Sequence, residues 1–79
     1  MPTLQKQIGE RIRRRRMALG MMQTDLAEAV QMPQEHISRF ERGKFMAINP
    51  ERLIAIAKAL QTTTDYLLLL TEKETTSAA

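Results

Sequence analysis

The sequence contains no cysteine and no tryptophan, and only one histidine, three glycines and three prolines. Without cysteine there is neither a disulfide framework nor a thiolate metal centre. His36 alone cannot build a zinc site. Only 4% of the residues are aromatic, so the core has to be mostly aliphatic. The apolar run at residues 66–70, which no other exceeds in length, is far too short to cross a bilayer. Residues 1–8 are mostly polar and lack the basic-then-apolar order of a secretion signal, so a soluble, cytoplasmic protein is expected. Catalytic carboxylate pairs, glycine-rich phosphate loops and nucleophile–base sets are all missing. Neither an enzyme nor a cofactor is therefore expected.

What is present is basic charge, unevenly placed. The formal net charge is +3, yet residues 6–16 alone carry six basic side chains (Lys6, Arg11 and Arg13 to Arg16) against one acid, Glu10. From Thr71 onward the chain is acidic and polar. This asymmetry points to a polyanionic partner, although an arginine run also serves as a solvated helix face. Seventy-nine residues make one domain. A chain this short buries roughly 60–65% of its unfolded surface, so its core is marginal and a second subunit would help it.

Hydrophobic spacing predicts an all-α chain of five short helices with no period-two alternation. The first covers residues 4–19, with Ile8, Ile12 and Leu19 on one stripe and Gly20 as a left-handed end. The second covers 23–31 and buries Leu26, Ala27 and Val30. The third covers 34–42, buries Ile37 and Phe40, and stops at Gly43. Asn49 caps the fourth, with Pro50 at its first position. Leu53, Ile56, Ala57 and Leu60 then face inward. The fifth begins at a threonine among residues 62–64 and runs to about Leu70. Residues 1–70 are expected to form the domain, and residues 71–79 a polar, disordered tail. Met21, Met22 and Met32 are read as core or turn filler.

Two charges interrupt this pattern. Arg16 follows Ile8 and Ile12 at i+4 spacing, and Glu41 falls beside Ile37 and Phe40. A lone buried charge is costly, so the two are expected to pair, the planar guanidinium meeting the carboxylate at two points. On the opposite side of the third helix lie Glu35, Ser38, Arg39 and Arg42, with His36 on the flank and Gln34 leading. Amide, guanidinium and carboxylate groups on one short helix suit base edges in a DNA major groove: Gln to adenine, Arg to guanine, Glu to cytosine. Glu35 and Arg39 would equally form an ordinary surface pair.

Residues 8–68 resemble the phage-repressor, Cro-type (XRE) helix-turn-helix family. The matching string is IGERIRRRRMALGMMQTDLAEAV, the turn QMP, QEHISRFERGK, and later RLIAIAKALQTTTDYLL. The resemblance implies a compact five-helix lambda-repressor-like domain and sequence-specific DNA binding in a transcriptional regulator, most simply a repressor. It implies that Gln23 bonds a phosphate and buttresses the recognition helix, and that Gln34, Glu35, His36 and Arg39 face base edges. Arg42, Lys44 and the backbone near Phe45 would meet phosphates, and Arg16 and Glu41 match a buried pair of the family. Arg13 and Arg14 would add attraction without an assigned contact. Family members bind inverted repeats as homodimers, and the leucines at the end of the fifth helix (Leu67, Leu69 and Leu70, beside Leu68) are the expected dimer surface. The same fold can also act as a protein-interaction adaptor with weak DNA affinity. Gln31, Pro33, Met22 and Gln61 depart from the family pattern at turn and cap positions.

Overall fold

Local chemistry fixes most of the helix starts. In the computed structural model, which describes residues 1–75, the order is α1 (Leu4–Ala18), α2 (Gln23–Val30), α3 (Gln34–Glu41), α4 (Pro50–Ala59) and α5 (Thr64–Leu67). Thr3, Asn49 and Thr63 each accept a hydrogen bond from a free amide in the first turn, at 3.1, 2.8 and 3.0 Å. At α2 the bond runs the other way, with Asp25 Oδ2 accepting from the Met22 amide at 2.7 Å. Only α3, entered from Pro33, starts without a side-chain bond of either kind.

All five helices end alike. A residue with positive φ lets two amides reach back to the last turn, as in Lys44 N to Arg39 O at 2.9 Å and Gly43 N to Phe40 O at 3.1 Å. Three of the five left-handed residues are not glycine: Gln31, Gln61 and Leu69. Each carries a steric cost of ~1–2 kcal/mol in that conformation, which the packing on either side has to offset.

The core is the set of faces that this geometry turns inward. Ile8 and Ile12 of α1 meet Leu26 and Ala27 of α2, Ile37 and Phe40 of α3, and Leu53, Ile56 and Ala57 of α4, with Met32, Leu60, Tyr66 and Leu67 closing it. Each large aliphatic group removed from water contributes ~1.5–3 kcal/mol. Leu19 and Val30, expected inside, are only half-buried, and Met22 is exposed.

Two expectations are corrected here. The fifth helix is four residues long and stops at Leu67. The chain then turns through Leu69, at φ 66°, and returns Leu68 and Leu69 to the core edge. Leu67 itself is fully buried and cannot meet a partner subunit. Of the leucines expected at a dimer surface, Leu70 alone is exposed.

Nor does the polar tail leave the domain at residue 71. Arg11 donates through Nη1 to the carbonyls of Tyr66 and Thr71, both at 2.7 Å, and its Nη2 meets both oxygens of Glu72 at 3.0 Å. Its guanidinium also lies 4.4 Å from the Tyr66 ring centre, over the face. The Tyr66 hydroxyl donates to Glu74 at 2.9 Å, and Thr62 donates to the Glu74 carbonyl. Residues 76–79, the rest of the expected tail, lie outside the described residues.

Two consequences can be measured. Gly9 sits where α1 crosses α3, and a Cβ there would lie 2.7 Å from the Glu41 carbonyl oxygen and closer still to that of Phe40. Gly9→Ala should therefore cost ~1–3 kcal/mol through overpacking, although alanine is the better helix former. A urea midpoint that holds or rises would show that the two helices can part. Burial pushes the Tyr66 phenol above its usual pKa, and its hydrogen bond to Glu74 adds to the shift. This contribution to stability is complete below the ordinary phenol value of about 10 and is lost as pH rises through the higher, folded one. Tyr66 is the only tyrosine and there is no tryptophan, so ultraviolet titration reads it alone. Its midpoint should lie above that of free tyrosine and fall in Glu74→Gln.

Candidate nucleic-acid interface

The helix pair α2–α3 is joined by residues 31–33. Gln31, at φ 56° and ψ 48°, turns the chain, and the Met32 amide returns to the Ala27 carbonyl at 2.9 Å. Met32 is buried and pins this corner to the core. Pro33 then presets the entry to α3 with φ −59°. The angle between the two helices is therefore set by a left-handed residue, a buried anchor and a proline.

Behind α3 lies the ion pair. Arg16 donates from Nε to Glu41 Oε2 at 2.6 Å and from Nη2 to Oε1 at 3.0 Å, and its Nη1 donates to the Met21 carbonyl at 2.7 Å. The two side chains are only 12% and 3% exposed, so each ion depends on the other. Hydrogen bonding to Glu41 raises the Arg16 pKa, against the opposing effect of burial. Arg16 thus stays charged at any pH the fold meets.

The pair extends toward the surface. Gln23, first residue of α2, donates to Glu41 Oε1 at 3.1 Å, and Gln34, first residue of α3, donates to Gln23 Oε1 at 3.4 Å. A continuous polar line thus runs from buried Arg16 to the exposed tip of α3. This long, exposed bond biases the Gln34 amide toward Gln23, at the outer end of the line.

Along the rest of the face, Glu35, Arg39 and Arg42 are exposed, while His36 and Ser38 are half-buried. Glu35 Oε1 lies 3.4 Å from Arg42 Nη2 and 3.7 Å from Arg39 Nε, between the two guanidiniums. At such exposure these pairs contribute ~0–1 kcal/mol each. They bias side-chain direction more than they hold the fold. Lys44 is exposed just beyond Gly43, and Phe45 packs edge-to-face on Phe40 with ring centres 5.4 Å apart. Of the residues expected on the reading face, Gln34, Glu35, Arg39, Arg42 and Lys44 are exposed, while Gln23, His36 and Ser38 are half-buried.

A helix-turn-helix family model matches residues 12–67, more than half of the chain. The chain belongs to the helix-turn-helix family. It is 44% identical to Repressor protein C2 of Salmonella phage P22 over 61 residues, which is 77% of this chain and 28% of that protein. It is 41% identical over 59 residues to an uncharacterized transcriptional regulator in the ATPase CF(0) region of Rhodospirillum rubrum, covering 75% of this chain and 54% of that one. The chain therefore spans about a quarter and about half of these relatives' lengths. Among solved structures, the clp gene regulator ClgR of Corynebacterium glutamicum matches with TM-score 0.78 at 28% identity, over 86% of this chain and 71% of that chain. The P22 c2 repressor in complex with a synthetic operator matches with TM-score 0.71 at 43% identity, over 76% and 89% of the two chains. The architecture is that of repressor helix-turn-helix domains, with five helices and, among the described residues, no strand.

Within this helix-turn-helix domain, the sequence reading passed over two residues that hold the interface in place. Arg15 is 7% exposed and donates to the Leu60 carbonyl through Nη2 at 3.0 Å and Nε at 3.2 Å, closing the free end of α4. At 3.6 residues per turn it falls within about 20° of Ile8 on the helix wheel, nearer the apolar stripe than Arg16 does. That angle was the available signal. Gly9 is the other: the close α1–α3 approach it permits brings Arg16 within reach of Glu41, and a single mid-helix glycine does not announce such a contact.

The ion pair makes a direct prediction. Glu41→Ala leaves Arg16 buried without its carboxylate and Gln23 without its acceptor, and should cost ~3 kcal/mol. For a domain of this size that lowers the melting temperature by about 12–24 °C. A melt within a few degrees of the parent would remove the pair from the list of interactions that hold α3.

Proposed function

We propose that this domain binds double-stranded DNA sequence-specifically as a transcriptional regulator, most simply a repressor, with α3 in the major groove. The observation that carries the proposal is the orientation of Gln34 through Gln23 and Glu41 to Arg16. A buried network that ends in an exposed amide at the leading end of a short helix preorganises that amide for a flat, two-point partner such as adenine. Arg39, five residues further along, offers the matching group for guanine. The 43% identity to a repressor solved with a synthetic operator supports the same reading.

In this reading Gln34, Arg39 and the flanking His36 and Ser38 read bases, Glu35 directs Arg39 and Arg42, and Gln23, Arg42 and Lys44 hold phosphates. Phosphate contacts fix register and base contacts supply specificity. Two copies would occupy an inverted repeat with half-sites about one helical turn apart. The domain acts on cytoplasmic DNA and performs no chemistry of its own.

Selection of bound duplexes from a random pool would give the half-site. On that site Arg39→Ala should cost ~1–3 kcal/mol and flatten the preference at one base position, whereas Lys44→Ala should weaken selected and random DNA alike. If Arg39→Ala weakened both DNAs equally, base reading by this helix would fail. Failure to enrich any sequence, together with a flat salt response, would instead favour an adaptor that docks on protein.

A further inference from the structure

Lys44 stands between two surface depressions. One, of about 450 Å³, lies between α3 and the start of α4, with Arg39, Lys44 and Arg52 on its walls and the Phe40–Phe45 pair among its lining. The other, of about 560 Å³, lies between the start of α1 and the end of α3, and is lined by Lys6, Arg42 and Lys44. No acid is among the described residues that line either one. All five basic side chains are exposed.

Because Lys44 belongs to both depressions, the five cations form one band from α1, across the end of α3, to α4. The fold fixes both ends of the band. Gly43 has φ +71° and no Cβ, and a Cβ there would lie 2.7 Å from Lys6 Cα; the start of α1 is seated directly on the turn that presents Lys44. Arg52 sits in the first turn of α4, where its amide donates to the Asn49 cap at 3.4 Å. Three other arginines, Arg11, Arg15 and Arg16, have their guanidiniums engaged by carbonyls and carboxylates of this chain. Among the described residues, only Glu35 forms an ion pair with any of the five, from the α3 side, and it reaches Arg39 and Arg42 alone. Lys6, Lys44 and Arg52 have no carboxylate partner among the described residues.

We infer that this band seats the phosphates of one DNA strand, and that Lys6 and Arg52 are phosphate contacts at its two ends. Both residues lie outside the α2–α3 unit, so the footprint on DNA is longer than the helix-turn-helix alone would make it. The inference rests on the DNA-binding reading above, and the test separates the two.

The full chain is titrated onto a fluorescent random-sequence duplex between 50 and 200 mM KCl. Each lost phosphate contact lowers the slope of log affinity against log salt by about 0.9. The affinity lost over this fourfold salt range should therefore shrink about 3.5-fold in Lys6→Gln and in Arg52→Gln, and about 12-fold in the double variant. Lys58→Gln, which removes an exposed charge elsewhere on α4, should keep the parent slope. The charge-preserving Lys6→Arg and Arg52→Lys should restore it, which a merely structural role would not explain. A parent-like slope in either glutamine variant, with helicity and melting intact, overturns the band. If the parent chain shows no salt-dependent binding to the duplex, the DNA reading falls and the band falls with it.

Discussion

The Arg16–Glu41 pair is the constraint on which the rest of the structure depends. A buried carboxylate in a domain this small is a liability unless it is paired with a cation and well hydrogen-bonded. Here Glu41 receives two bonds from Arg16 and a third from Gln23. Those bonds tie α1, α2 and α3 together at one point. They require α1 and α3 to approach closely enough that no side chain fits at Gly9. Three features that look separate along the chain, namely a glycine, an arginine and a glutamate, are one device. Its outward end is the Gln23–Gln34 bond, and so the same device that orients the helices also orients the tip of α3.

The arginine run shows how a short chain supplements a marginal core. Arg15 satisfies the Leu60 carbonyl at the end of α4, and Arg11 adds a second donor to the Tyr66 carbonyl of α5 and a donor to that of Thr71 while gripping Glu72. Helix ends leave carbonyls that need donors, and a guanidinium offers five in a rigid fork. An apolar residue at these positions would add area to the core and leave those groups dry. The basic face suggested by composition is thus divided along the helix: Arg11, Arg15 and Arg16 turn inward, while Arg13 and Arg14 remain exposed.

What the sequence made legible follows the range of the interactions involved. Helix starts at Asn49–Pro50 and stops at Gly20 and Gly43 are encoded within a few residues, and they appear where the pattern puts them. The pairing of Arg16 with Glu41 was readable although it spans 25 positions, because two unpaired charges on apolar faces have few alternatives. The short α5 was not readable. A run of four leucines fits a helix as well as a turn, and only the position of the core decides that Leu67 enters while the chain reverses at Leu69. The placement of residues 71–75 is not readable for a related reason. Residues 71–75 are held by Arg11, Tyr66 and Thr62, partners that composition cannot foresee. On the candidate reading face, helical spacing set the side-chain directions, whereas the proposed role of Lys6 and Arg52 depends on the tertiary placement of the starts of α1 and α4 beside the end of α3.

The turn between α2 and α3 departs most from its family's pattern, and the structure shows why this is tolerated. Gln31 takes the left-handed conformation that a glycine would adopt more readily, and Gln61 and Leu69 do the same at other helix ends. The hydrogen-bond pattern after each is that of Gly20 and Gly43. The geometry is therefore imposed from outside the turn. Next to Gln31 it comes from Met32, which is buried and whose amide is bonded back to Ala27. A glycine would lower the strain but widen the range of unfolded and partly folded turns. Glutamine with a buried neighbour accepts a local penalty and leaves one orientation of α3. For a helix whose tip is aligned through a line of hydrogen bonds to Arg16, that single orientation matters more than the strain it carries.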